Sequence, residues 1–105
     1  MGTVGRVTAE LTFLPKSAGG RNGPLGWPWS DGPGYMPHLV VVGGDGTYLG
    51  VRFVGGPYPV LGEPAEFELA LLYPGVDYSP LVPGAMVEVR EGGRVVARGR
   101  VLSQE

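Results

Sequence analysis

Glu66 and Glu68 stand two residues apart, a spacing that sets both carboxylates on one face of a β-strand, and paired carboxylates are the minimum equipment for general acid–base work. In AEFELALLY, however, they occupy the polar side of an alternating segment, where charge ordinarily keeps a sheet face soluble. His38 is the chain's one histidine, and it follows Pro37 at the head of the run HLVVV. No activating partner is spaced beside it, so it reads as a surface or packing residue. Ser17, Ser30, Ser79 and Ser103 lie in no motif that would activate a nucleophile. The run Gly43-Gly44-Asp45-Gly46 lacks the following Lys-Ser/Thr and helix of a phosphate loop. There are no cysteines, which removes thiolate metal sites and disulfides together. The expectation is a chain that is not an enzyme, with no catalytic residue, no metal and no cofactor.

Binding has better material. Residues 19–37, GGRNGPLGWPWSDGPGYMP, carry both tryptophans of the chain among glycines and prolines. A long loop inside a small domain is usually functional or disordered, and aromatic residues argue against disorder. Arg21, Trp27 and Trp29 are therefore candidates for a protein-interaction surface, since exposed Trp and Arg anchor interfaces; the competing role for the tryptophans is to cap the core. A second candidate is the C-terminal stretch, where Arg90, Arg94, Arg98 and Arg100 share one parity if the turn between them has two residues. They would form a small basic face, offset in part by Glu88 and Glu91.

The formal charge of −2 over 105 residues is a poor footprint for a free-standing nucleic-acid binder, so any such contact must be local, and DNA is not expected. No run approaches the ~20 apolar residues of a membrane span. The start, MGTVGRVTAELTF, has no signal-peptide pattern, which points to a cytoplasmic protein without a membrane partner. Length gives one domain, residues 1–105, with a feasible core.

Period two runs through nearly the whole sequence. In 3–14, Val7, Ala9, Leu11 and Phe13 alternate with Arg6, Thr8, Glu10 and Thr12, the pattern of a strand with one wet side. HLVVV, a glycine-rich turn at 43–46 and TYLGVRFV read as a hairpin. Residues 65–73 make a fourth strand that ends at Pro74-Gly75. MVEVRE, Gly92-Gly93 and RVVARGRVL form a last hairpin, whose two glycines predict positive φ at both turn positions. Six strands and no helix predict an all-β, six-stranded antiparallel closed barrel, because closure removes exposed edges. Leu11, Phe13, Leu49, Val51, Phe53, Phe67, Leu69, Leu71, Val87 and Val89 are expected to point inward.

The stretch VREGGRVVARGRVL at 89–102 closely resembles the end of the third, C-terminal barrel domain of elongation factor Tu, in which Arg-Glu-Gly-Gly-Arg joins the last two strands. Gly19-Gly20-Arg21, Pro24 and Gly34-Tyr35-Met36-Pro37 are similar to the segment leading into that domain's second strand, and LGEPAEFELALLYP at 61–74 looks like its long fourth strand. The resemblance covers the whole chain and implies the same six-stranded antiparallel barrel. In the full factor this domain helps hold the T stem of aminoacyl-tRNA and packs against protein partners. Carried over position by position, the family's tRNA contacts fall on Glu91 and Gly92, which keep their identity, on Thr47, also kept, and on His38, where the family has glutamine. Arg94 would add charge beside them.

The departures are as informative. The 105 residues hold no GTPase domain, no Walker-type lysine motif and no second barrel, so the chain is not expected to hydrolyse GTP or deliver tRNA by itself. The loops between Gly20 and Gly34 and at 74–85 are longer than the family's. The expectation is a stand-alone relative acting as a non-catalytic binding module, translation-linked, with tRNA or a translation-related protein as a weakly held partner. The alternative is a protein–protein interaction module that uses loop 19–37 and makes no RNA contact.

Overall fold

Alternation becomes architecture through the pleat: a residue series of one parity lines one face of its strand. The computed structural model describes residues 5–15 and 35–105. Its strands are β1 (Gly5–Phe13), β2 (His38–Val41), β3 (Leu49–Gly55), β4 (Pro64–Leu71), β5 (Met86–Glu91) and β6 (Arg94–Gln104). They pair antiparallel in the order β1-β4-β3-β2-β5-β6, and β6 returns to β1 to close the barrel. All ten residues assigned inward are buried, none more than 2% exposed. The described residues contain no helix long and apolar enough to cross a membrane.

The upper end of the barrel, where β1 finishes and β5 turns into β6, is closed by aromatic rings. Phe13 lies 5.6 Å from Phe67 and 5.9 Å from Phe53, and Tyr35 covers Phe53 at 5.2 Å. Backbone bonds from Val51 to Pro37 and from Phe53 to Tyr35 carry the β2–β3 ladder past the end of β2.

The lower end is plugged by the segment 72–85, which the sequence pattern leaves as a plain loop. Tyr78 and Leu81 turn into the core. The Tyr78 hydroxyl donates to the Gly50 carbonyl at 2.6 Å and accepts from the amides of Leu72 and Tyr73 at 3.2 Å. Gln104 Nε2 donates to the carbonyls of Tyr78 and Leu81, tying the end of β6 to the same plug. This is why β4 ends at Leu71 rather than at Tyr73: the next two amides bond to Tyr78 instead of a neighbouring strand.

Two local expectations need correction. The terminal hairpin does have a two-residue turn, with Glu91 opposite Arg94, but only Gly92 has positive φ (62°). One positive φ at the first turn position is the pattern of a type II′ turn, and type I′ would need two. The register then shifts between Val89 and Arg90, where Val89 faces Ala97 but Arg90 faces Val95, so Val96 is an extra, buried residue. That bulge inverts parity, as bulges do. Arg98 and Arg100 stand opposite Glu88 and Met86 on the outer face, as Arg90 does opposite Val95, whereas Arg94 shares the parity of Glu91. The four arginines do not form one face.

Candidate nucleic-acid interface

On the outer face of β2 and β5 the register sets His38 directly opposite Arg90, and the loop between β2 and β3 brings the Tyr48 ring beside them. The His38 and Tyr48 rings lie 5.5 Å apart. The Tyr48 hydroxyl donates to the Gly92 carbonyl at 3.0 Å and accepts from Arg90 Nη1 at 3.2 Å, and the Arg90 guanidinium carbon lies 5.8 Å from the ring centre. Tyr48 is 40% exposed, yet an imidazole, a guanidinium and a backbone carbonyl hold its ring.

Arg90 is itself held. Its Nε and Nη2 both donate to Glu88 Oε1, at 3.1 and 2.6 Å, while Arg98 Nε lies 3.8 Å from the other oxygen of Glu88. The bonds to Glu88 first, and to Tyr48 second, raise the Arg90 pKa further above its ordinary value. Elsewhere on the outer face Arg6 pairs with Glu68 at 2.9 Å and Arg100 with Glu10 at 3.5 Å. Among the described arginines, Arg52 and Arg94 form no ion pair. Around the hairpin, Arg90 and Arg98 share the Glu88 carboxylate and Arg94 is unpaired among the described residues, so three guanidinium groups stand against the carboxylates of Glu88 and Glu91, a locally cationic edge on an acidic chain.

The residues singled out from the sequence separate in space. His38 and Gly92 join the Tyr48 platform, and among the described residues nothing lies within 4 Å of where a Cβ would stand on Gly92, which leaves its backbone open on their side. Arg94 is exposed at the turn beside it. Glu91 turns over the barrel end, where its carboxylate accepts from the Tyr35 hydroxyl. Thr47, next to Tyr48 in the chain, instead lines a cavity between the loops 42–48 and 72–80, and its amide donates to Asp45. Arg21, Trp27 and Trp29 lie outside the described residues. Tyr48 was missed; the signal available was a large aromatic on the polar parity of TYLGVRFV.

Of the residues weighed for catalysis, Glu68 is occupied by Arg6, and the Ser79 amide donates to Asp77. No group of three or more His, Cys, Asp or Glu that could hold a metal ion gathers among the described residues. No protein-family model matches the chain, and no curated protein matches it.

Proposed function

We propose that the chain is a non-catalytic cytoplasmic binding module, resembling the third domain of elongation factor Tu, that contacts RNA through the outer face around Tyr48 and the β5–β6 turn. The observation that carries this is the Tyr48 ring, exposed and yet braced by His38, Arg90 and Gly92. A fixed aromatic face beside guanidinium groups is what unpaired bases and riboses stack upon, and an open glycine backbone admits a phosphate or 2′-hydroxyl close to the chain. The small net charge of this edge fits a weak contact, no tighter than about micromolar at physiological salt.

The test is titration of a fluorescently labelled tRNA with the wild-type chain and with Tyr48→Ala. Loss of one stacked base is worth roughly 1–3 kcal/mol, so the variant should bind at least about fivefold more weakly. Unchanged affinity would remove the platform from the account. Glu91→Ala, the substitution that the resemblance recommends, is a poorer probe because it strips the Tyr35 hydroxyl of its acceptor at the barrel end.

A further inference from the structure

The second feature of the surface lies away from the hairpin, beyond Val41, where the loops 42–48 and 72–80 approach each other. Between them is a cavity of about 530 Å³ with apolar walls from Val41, Leu49, Val76 and Pro80. Its charged lining residues are Asp45 and Asp77, one from each loop, with Thr47 beside Asp45. No arginine, lysine or histidine is among its described lining residues, and neither aspartate forms an ion pair with a described residue.

We propose that this cavity receives a basic side chain of a partner polypeptide, with an arginine guanidinium between Asp45 and Asp77 and its aliphatic stem along Val41, Leu49, Val76 and Pro80. The volume lies within the ordinary range of ligand pockets, roughly 300–1,000 Å³, and leaves room for a residue flanking the arginine. Charge complementarity selects the occupant. The two carboxylates come from different loops and line the same cavity. A planar cation that donates to both relieves their repulsion, and a guanidinium presents donors in more than one direction. A hard metal ion suits the place less well: calcium takes 6–8 oxygen ligands, and no third carboxylate or histidine joins this pair among the described residues. The apolar walls have no use in a metal site but match the methylenes of a long basic side chain.

The cavity shares the 42–48 loop with the RNA face, Thr47 and Leu49 of its lining flanking Tyr48, but its occupant is a different one and is tested separately. Amide shifts of the ¹⁵N-labelled chain are followed by NMR during titration with acetyl-Leu-Arg-Leu-amide, with its Leu-Gln-Leu counterpart, with agmatine and with calcium. The arginine peptide should move the amides of Asp45, Thr47, Val76 and Asp77, with a dissociation constant of about 1 mM or tighter, and the glutamine peptide should not. The double variant Asp45→Asn, Asp77→Asn keeps a carbonyl oxygen for each loop amide and so keeps the fold. It should weaken the arginine peptide by at least about tenfold with the rest of the spectrum unchanged. Three results overturn the proposal: no localised shift up to about 10 mM peptide, agmatine binding as tightly as the peptide, or calcium alone producing the shifts in place of the peptide.

Discussion

Strand β6 passes β1 so closely at Gly99 that a Cβ there would stand 1.8 Å from the carbonyl oxygen of Glu10. The obstacle is backbone, which cannot swing aside, so the side-chain-free residue is what lets β6 return to β1 and close the barrel. Gly99→Ala should lower stability by at least ~2 kcal/mol in urea unfolding, toward the upper range of overpacking costs. Gly50 is an instructive control: its Cβ would also collide, at 2.2 Å, but with the half-exposed Tyr73 ring, which can rotate away. Gly50→Ala should therefore cost less than Gly99→Ala. The reverse order would mean that the β1–β6 contact is not the constraint on closure.

Phe67 touches Phe13 and Phe53 in the centre of the upper aromatic cluster and is 1% exposed. Phe67→Ala should cost about 3–5 kcal/mol, the range for emptying a large aromatic site. A loss below ~1 kcal/mol, measured by denaturant titration, would contradict the inward parity of β4.

Tyr78→Phe removes one hydroxyl that serves a carbonyl and two amides of the lower plug. Leaving those groups unpaired should cost roughly 1–3 kcal/mol. Hydrogen exchange should accelerate first at Leu72 and Tyr73, before the barrel strands. Uniform acceleration over the whole barrel would show that the plug is not a separate opening unit.

Asp45 and Asp77 are held below the ordinary aspartate value of 3.8, Asp45 chiefly by the Thr47 amide and Asp77 chiefly by the Ser79 amide. Because the folded state prefers the charged form, this stabilisation is present above that value and disappears as pH falls through the lower folded pKa values. The urea midpoint of the wild type should fall more steeply below about pH 4 than that of Asp45→Asn, Asp77→Asn. Parallel curves would show that the two turns contribute nothing to the acid limb.

The barrel was legible because each strand repeats one decision, inward or outward, over several residues; Leu11 and Phe13, or Val87 and Val89, are readable by parity alone. The places that escaped are those where a single contact decides. Tyr78 and Leu81 sit in PGVDYSPLVPGA, which has no period, and they enter the core because the barrel end needs filling. The extra residue Val96 is as apolar as its neighbours, so nothing in VVARG announces a bulge that turns Arg94 away from Arg98 and Arg100. The candidate site was half legible. His38 and Gly92 do meet, but the residue that joins them, Tyr48, is brought there by a loop, and Thr47 lies instead on the cavity lining.

The most direct test of the RNA-binding claim is the salt dependence of tRNA affinity for the wild type and Arg94→Ala. Arg94 is exposed, forms no ion pair with a described residue and lies beside the open backbone of Gly92, so its loss should leave the fold intact. If the hairpin edge meets phosphate, log affinity falls linearly with log salt for the wild type, and the slope shrinks by about one for the variant. An unchanged slope, or salt-independent binding that only Trp27→Ala or Trp29→Ala removes, would contradict it.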